Sequence, residues 1–406
     1  MVSAQNRPNP AWGTSTGTGC SVRGTMVSRV TPGMPGGPPI DLEDAGSLSL
    51  QPFSLLKAPP PTAAGAVRNL KGEDVWLQQE ERIGEDVVLF ALVADGHGGM
   101  SAAAYCERHC VRYIIDAAAG DSSADSLRRA GAAAFARLHS EVRATRANDG
   151  TTLTVCMVNH AREELTTVHV GDSAAIFVPH PIRGIAMRKP QSLTAEHRLQ
   201  ESPSERKRIQ GLGGQLARLE HPVTKVACGP LRVFPGGLAV ARGIGDADAG
   251  ALICPVPACS TVPLSTPGGW DCVLASDGVW DAMAADAVVR LCRHSHRTSP
   301  QKTADLIVEQ SISKRHAFNN DGFRVPRDDT TCVVLRSYGT PPASGSTVGG
   351  CTLPSCDMPT LVHEPVEMDR SFVCDLLDHA VEAPSVTLPA DAVGRTGEAM
   401  TMTDLL

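Results

Sequence analysis

Apolar runs and amphipathic segments alternate along the chain between residues 66 and 340. Runs rich in Val, Leu, Thr and Ile predict strands at 87–94, 151–159, 165–178, 271–276 and 330–336. Helical patterns predict helices at 101–118, 122–146, 282–294 and 301–316. Ser101 can cap the first helix. A short polar turn between two consecutive strands, 151–159 and 165–178, favours antiparallel pairing, which indicates an α+β fold rather than a Rossmann alternation.

The two ends of the chain differ in composition from this core. Residues 1–65 are rich in Pro, Gly, Ser and Thr and predict a disordered N-terminal tail. Residues 341–406 are acidic and also rich in Pro, Ser and Thr, so we expect a second disordered tail, with one short helix near 372–380. The folded domain is therefore predicted at 66–340.

The charge of the chain indicates which kinds of partner it can bind. The net charge is −7, and residues 351–406 alone hold ten acidic residues against two arginines. The rest of the chain is close to neutral, which is unlike the basic surface of a nucleic-acid-binding protein. No apolar run approaches the roughly 20 residues of a membrane-spanning helix, so we expect no integral membrane segment.

The cysteines and the N-terminal tail bear on localisation. Thirteen cysteines are scattered without a Cys-x-x-Cys pair, and no signal peptide is visible, so we expect reduced thiols in a cytoplasmic or nuclear protein. Arginines 7, 23 and 29 lie among hydroxyl residues, which weakly resembles an organelle transit peptide. A flexible tail accounts for them better, because the segment lacks amphipathic periodicity and contains many prolines.

Two Asp-Gly pairs carry the candidate chemistry, Asp95-Gly96 and Asp277-Gly278, and each follows an apolar strand. Glycine permits a sharp turn and exposes its carbonyl oxygen as a further ligand. Other acidic residues stand in short motifs: Glu73, Asp74, Asp172, Asp281, Asp328 and Asp329. Carboxylates that converge repel one another unless cations neutralise them, and ligation by oxygen alone favours Mg²⁺ or Mn²⁺.

The order of these motifs resembles the PPM-type (type 2C) metal-dependent Ser/Thr protein phosphatases. The matching blocks are 72–74, 95–99, 150–152, 170–173, 193–197, 205–214, 238–246, 275–281 and 327–331. They span most of the predicted domain. Each short block is weak evidence, but the ordered series is highly specific. The resemblance implies an α-β-β-α sandwich of two antiparallel-rich sheets flanked by helices. It also implies hydrolysis of phosphoserine and phosphothreonine in proteins by a hydroxide that bridges two metal ions.

The resemblance also implies roles for individual residues. Asp95 would bridge the two ions, the Gly96 carbonyl would bind one of them, and Asp277 and Asp328 would bind the other. Glu73 and Asp74 would orient water molecules on the metals. A third ion is a further possibility at Asp172 and Asp281, together with Asp277. His97 would be the general acid that protonates the departing Ser or Thr oxygen.

Some positions depart from the family pattern. The family has a phosphate-binding arginine before its acidic pair; here Arg68 stands one residue too far away, and Lys71 competes for the role. Ala174, Glu196 and Ala241 replace an arginine, an aspartate and a serine. None of these changes removes an implied direct metal ligand. We therefore expect an active enzyme that acts on phosphorylated proteins as a monomer. The alternative is a catalytically silent relative that binds a phosphoprotein or acts as a scaffold.

Overall fold

In a computed structural model of the chain, the described residues are 59–339, except 146, 183–187, 267 and 315–327, together with the short strand 366–367. The predicted N-terminal tail before residue 59, the helix near 372–380 and nearly all of the acidic tail lie outside these residues. The division into two tails and one domain therefore stays a prediction there.

Strands and helices follow one another as the sequence patterns lead one to expect, with several additions. The strands are β1 (Thr62–Arg68), β2 (Val75–Ile83), β3 (Asp86–Ala94), β4 (Gly96–His97), β5 (Gly150–Thr151), β6 (Leu153–Asn159), β7 (Glu164–Val170), β8 (Ala174–Pro179), β9 (Gln191–Ser192), β10 (Gln215–Glu220), β11 (Ala227–Phe234), β12 (Ile244–Gly245), β13 (Ala258–Pro263), β14 (Gly269–Ala275), β15 (Thr330–Tyr338) and β16 (Val366–Glu367). The α-helices are α1 (Ser101–Ala118), α2 (Ala124–Ala144), α3 (Pro203–Gly211), α4 (Asp277–Trp280), α5 (Ala285–Ser295) and α6 (Pro300–Lys314), and a 3₁₀ helix spans Ala247–Leu252.

Several details of these elements differ from the sequence predictions. Helix α1 has the predicted bounds, but Ser101 is its first residue rather than its cap, and Met100 precedes it without a side-chain capping bond. The prediction of one strand over 165–178 is wrong, because Gly171, with φ of 101°, ends β7 and the chain restarts as β8. Strand β1 begins at Thr62, four residues before the predicted start of the domain.

Two antiparallel sheets form the centre of the fold. The six-stranded sheet has the order β16-β13-β7-β6-β3-β2, and the five-stranded sheet has the order β1-β15-β14-β8-β9. Within each sheet the neighbouring strands are antiparallel. Strand β16, which falls in the predicted acidic tail, pairs with β13.

Alternation of side chains along the strands builds three layers of core. On β3, Val88, Phe90 and Leu92 pack with α1 and α2, whereas Leu89, Ala91 and Val93 face the other sheet. On β15, the alternate residues divide in the same way between the sheet interface and a third cluster with α4, α5 and α6. A period of two along a strand sends successive side chains to opposite faces. The predicted α-β-β-α sandwich is confirmed.

Strand register gathers the acidic motifs at one end of the sandwich. Val75 pairs with Ala94, which places Asp74, just before β2, and Asp95, just after β3, at the same edge of the sheet. In the other sheet, Ala275 pairs with both Ala174 and Cys332, so that β8, β14 and β15 reach this edge together. Motifs far apart in sequence thus become neighbours through antiparallel pairing.

A small subdomain is inserted in the chain between β9 and β12. It contains α3 and the β10–β11 hairpin, and Ile209, Val233 and Leu252 belong to its own buried cluster. Within the described ranges, no helix is both long and apolar enough to cross a membrane. The nine cysteines in that part of the chain are free thiols.

Candidate active site

The glycines of the two Asp-Gly pairs have a packing role that the sequence alone did not reveal. A Cβ on Gly96 would lie 2.6 Å from the carbonyl oxygen of Glu73, and a Cβ on Gly278 would overlap the carbonyl oxygen of Asp329. Each pair therefore lies directly against the backbone of another acidic motif. Glycine is required at both positions because only a missing side chain permits this approach.

Five carboxylates converge at this end of the sandwich. Burial raises the pKa of Asp95 well above its usual range, and the nearby charges of Asp74, Asp277, Asp172 and Asp328 raise it further. Burial, with Asp172 and Asp281 next, raises the pKa of Asp277 to about 7, although Arg198 opposes the shift. Burial likewise raises the pKa of Asp74 to about 6. Burial thus disfavours the ionised form of all three groups, and for Asp95 and Asp277 the neighbouring carboxylate charges add to this effect.

Thr151 and Thr152 fix the backbone of Asp95. The hydroxyl of Thr151 donates to the Asp95 carbonyl at 3.0 Å, and the amide of Thr152 donates to the same oxygen at 2.9 Å. The amide of Asp95 donates in turn to the Thr152 hydroxyl at 3.1 Å. The Thr-Thr pair that opens the next strand therefore holds the central aspartate in place.

Asp329 organises the loop that precedes β2. Its carboxylate accepts hydrogen bonds from the backbone amides of Lys71 and Glu73, both at 2.7 Å, from Asp74 at 3.2 Å, and from Leu70. Burial raises the pKa of Asp329, but these four bonds lower it more, and the net direction is downward. Sequence reasoning gave Asp329 no role; the only signal was its position beside Asp328.

Lys71 rather than Arg68 reaches the carboxylates. Its ammonium lies 2.9 Å from Asp328 Oδ1, and the charges of Glu73 and Asp95 also act on it. Arg68 is the last residue of β1, pairs with Thr330 through the backbone and has an exposed side chain. Of these two candidates, the one that reaches the carboxylates is thus Lys71, two residues before Glu73.

His97 is paired with a buried aspartate. Its Nε2 lies 2.6 Å from Oδ1 of Asp246, whose side chain is only 1% exposed. Burial lowers the pKa of His97, but Asp246, followed by Asp172 and Glu73, raises it more, so the imidazole is held toward its protonated form. Asp246 lies in the family block 238–246, yet the sequence alone did not link it to His97.

Asp172, Asp277 and Asp281 meet around one guanidinium. Arg198 donates from Nε to Asp172 Oδ2 at 2.8 Å and from Nη1 to Asp281 Oδ1 at 2.7 Å. Its Nη2 lies 3.3 Å from Asp277 Oδ2. The two residues that were assigned to a possible third ion are thus brought together with Asp277, and an arginine that sequence reasoning missed lies between them.

His197 holds the motif that carries Asp172. The amide of Gly171 donates to His197 Nδ1 at 3.1 Å, and the His197 ring stacks on His169 at 4.9 Å between centroids. Burial lowers the pKa of His197 well below its usual value and that of His169 to about 4. Both rings are therefore neutral near pH 7, which leaves Nδ1 of His197 free to accept the bond.

The donor set suits hard divalent cations. Oδ1 of Asp277 is buried and has no hydrogen-bond partner in the described part of the chain, so it is an oxygen that a cation can satisfy. Carboxylate and carbonyl oxygens are the ligands that Mg²⁺ and Mn²⁺ prefer. Among the described residues, no three His, Cys, Asp or Glu side chains are already arranged as a ligand set. Lys71 already pairs with Asp328, so ion binding at that residue requires the lysine side chain to move.

Comparisons with known proteins identify the family. The sequence model described as Protein phosphatase 2C matches residues 72–319. The chain belongs to the protein phosphatase 2C family, which confirms the resemblance drawn from the motifs. It is similar to "Probable protein phosphatase 2C 12" of Arabidopsis thaliana, with 34% identity over 274 residues, 65% of this chain and 59% of that protein. "Probable protein phosphatase 2C 33" of Oryza sativa subsp. japonica is also 34% identical, over 65% of this chain and 58% of the relative.

Solved structures agree on the fold. A serine-threonine phosphatase 2C from Toxoplasma gondii aligns with a TM-score of 0.55 at 20% identity and covers 69% of this chain and 98% of its own. A sex-determining protein from C. elegans aligns with a TM-score of 0.54 at 21% identity, over 68% and 64% of the two chains. The alignment to the Arabidopsis relative covers 59% of that protein's length.

Proposed function

We propose that this chain hydrolyses phosphoserine and phosphothreonine in proteins, with Mg²⁺ or Mn²⁺ as cofactor. The observation that carries the proposal is the His97–Asp246 pair beside a group of converging carboxylates. Neither feature alone is specific. Together they offer a cation-binding surface and a proton donor, the two components that hydrolysis of a phosphate ester needs.

Two ions would be held by the side chains of Asp95, Asp277 and Asp328 and the carbonyl of Gly96. Divalent cations supply Lewis-acid activation of water and neutralise the charge of the phosphoryl oxygens. Asp95 and Asp277 lie among other carboxylates, whose charges add to burial in raising their pKa values, and a bound cation would relieve that repulsion. Glu73 and Asp74, which the Asp329 carboxylate holds through their backbone, would position water around the ions.

His97 would protonate the leaving oxygen of serine or threonine. An alkoxide is a poor leaving group, so a positioned acid is worth about 10²–10⁴-fold in rate. The Asp246 carboxylate favours the imidazolium form and fixes the ring at Nε2. The side chain of His97 remains 30% exposed, which leaves it accessible to a substrate.

Lys71 is a better candidate than Arg68 for binding the substrate phosphate. Its ammonium already lies among the carboxylates that would hold the metals, at 2.9 Å from Asp328. Release of Lys71 from Asp328 when a metal binds there would free the ammonium for an anionic substrate. The side chain of Arg68, at the end of β1, is exposed.

Phosphate release from a phosphothreonine peptide in the presence of Mn²⁺ tests this function. The wild-type chain should show metal-dependent turnover, Asp95→Ala should abolish turnover and weaken Mn²⁺ binding, and His97→Ala should lower turnover by about 10²–10⁴-fold with Mn²⁺ binding retained. Well-folded wild-type protein that binds Mn²⁺ but releases no phosphate would favour the catalytically silent, phosphoprotein-binding alternative. Equal loss of metal in both variants would contradict the separate roles of Asp95 and His97.

A further inference from the structure

We infer that Arg198 supplies the positive charge for the Asp172, Asp277 and Asp281 carboxylates, so that the chain binds two divalent ions and excludes a third. This inference rests on the proposed metal-dependent function, since it concerns the same group of carboxylates. It changes the expectation for Asp172 and Asp281, which would pair with an arginine of the chain rather than hold an ion of their own.

The guanidinium uses three different nitrogens for three different carboxylates. Nε contacts Asp172 at 2.8 Å, Nη1 contacts Asp281 at 2.7 Å, and Nη2 contacts Asp277 at 3.3 Å. A planar guanidinium presents its donors in a fixed fork and stays charged at any pH that the protein survives. Only 27% of the Arg198 side chain is exposed, whereas surface arginines such as Arg112 reach 73%. Arg198 is therefore part of the site rather than a solvated surface side chain.

The backbone on both sides of Arg198 is fixed. His197 accepts the amide of Ala241 through its carbonyl at 2.9 Å, and the amide of Leu199 donates to Ala239 at 2.8 Å. Arg198 itself forms an isolated bridge with Val240. These bonds tie the segment to the next strand-like run on both sides of the arginine, so the origin of its side chain is set before any ion arrives.

The partner aspartate is fixed from the same segment. The ring of His197, adjacent to Arg198, accepts the amide of Gly171, adjacent to Asp172, at 3.1 Å. One short connection therefore positions both members of the Arg198–Asp172 pair. A guanidinium and a carboxylate that the backbone places together lose little conformational entropy when they pair.

A third divalent ion would have to displace this arrangement. An ion among the same three carboxylates would meet the guanidinium at close range, and like charges repel strongly where solvent is partly excluded. The ion would also have to break three contacts to Arg198. Asp277 keeps its second oxygen, Oδ1, without a partner in the described structure, so the arginine does not prevent this residue from holding one of the two ions.

Counting the bound ions tests the inference directly. Metal-stripped protein is titrated with Mn²⁺, and the number of bound ions is measured by calorimetry and by electron paramagnetic resonance of free Mn²⁺. We expect two ions in the wild type and three in Arg198→Gln, the third bound roughly tenfold or more tightly than any residual third site of the wild type. Arg112→Gln, which removes the same charge from an exposed position on α1, should keep two ions.

A double variant shows where the additional ion binds. Asp281→Asn in the wild-type background should leave two ions, and Arg198→Gln combined with Asp281→Asn should lose the third ion that the single Arg198 variant gained. Three tight ions in the wild type, or an unchanged count of two in folded Arg198→Gln, would overturn the inference.

A stability measurement covers the case in which Arg198→Gln does not fold well. Its metal-free form should have a lower midpoint of thermal unfolding than metal-free Arg112→Gln. In the double variant Arg198→Gln with Asp281→Asn, the midpoint should rise part of the way back, because one of the repelling carboxylates has been removed. Equal midpoints for Arg198→Gln and Arg112→Gln would also count against the inference. None of these measurements depends on phosphate release, so failure of the proposed activity would be recognised separately.

Discussion

Nε2 of His97 lies 2.6 Å from Oδ1 of Asp246, and the aspartate is almost completely buried. Its backbone adopts a left-handed conformation with φ of 55°, and its amide donates to the carbonyl of Asp149 at 3.1 Å. Asp149 also accepts, through its carboxylate, the amide of Ala102 in the first turn of α1 at 2.9 Å. His97, the proposed proton donor, is thus oriented by a buried residue that lies 149 positions away in the sequence.

Replacement of Asp246 should move the alkaline limb of the pH–rate profile. Asp246 raises the pKa of His97, so the acid form of His97 persists to higher pH in the wild type. In Asp246→Asn this pKa should fall, the loss of turnover should begin at lower pH, and kcat near neutral pH should drop about tenfold or more. Asp248→Asn changes an exposed residue of the 3₁₀ helix that begins directly after Asp246 and should leave the profile unchanged. An unshifted alkaline limb in Asp246→Asn would argue against His97 as the acid.

Gly278→Ala should damage the proposed metal site through the backbone. The added Cβ would overlap the carbonyl oxygen of Asp329, so either α4 or the start of β15 must shift. Overpacking of this kind costs about 1–3 kcal/mol in the free energy of unfolding, and Mn²⁺ binding should weaken because Asp277 and Asp328 move apart. Gly211→Ala, with open space around the same added atom, should be neutral or slightly stabilising. Chemical denaturation and Mn²⁺ titration of both variants decide the matter.

Asp329→Asn should weaken metal binding although Asp329 is not itself an assigned ligand. Each carboxylate oxygen of Asp329 accepts two hydrogen bonds from the backbone amides of Leu70, Lys71, Glu73 and Asp74. In asparagine one of these oxygens is replaced by an NH₂ group, which cannot accept its two bonds. We expect a loss of about 1–3 kcal/mol in unfolding free energy, with Mn²⁺ affinity reduced because Glu73 and Asp74 are no longer held. Asp116→Asn, on the exposed side of α1, serves as the control. Unchanged stability and affinity would show that the loop is held by other contacts.

Arg336 and Asp271 form a buried ion pair that should be costly to break from one side. They are cross-strand partners on β15 and β14, both are fully buried, and their two contacts are 2.6 Å long. Arg336→Leu leaves the buried carboxylate with only the His180 ring, whose Nε2 lies 3.1 Å from Oδ1, and should cost about 3–5 kcal/mol of unfolding free energy in urea. The double change Arg336→Leu with Asp271→Leu should recover part of this loss. Arg290→Leu, at an exposed position, should change stability by less than about 0.5 kcal/mol.

Much of the fold is legible in the sequence because its causes are local. Helix α1 has the predicted bounds, and β3, β14 and β15 fall close to their predicted positions. These elements carry strong patterns of apolar residues, which the backbone period of each structure requires. Strands β1 and β2 were missed because their patterns are weak: Thr62–Arg68 is rich in Ala and Gly, and Val75–Ile83 is a half-exposed strand that carries Gln and Glu. Pairing with β15 and β3 makes them strands.

The sequence by itself determined the family, the layered fold and the set of acidic residues, because the order of the motifs and the periodicity of the strands are properties of the chain. Only the tertiary structure decided which residues contact and orient the site residues. Asp246 meets His97 across 149 positions, Asp329 meets Glu73 across 256, and Arg198 meets Asp281 across 83. Such partners leave no local pattern, since antiparallel strand pairing and loop packing bring them together only when the chain has folded.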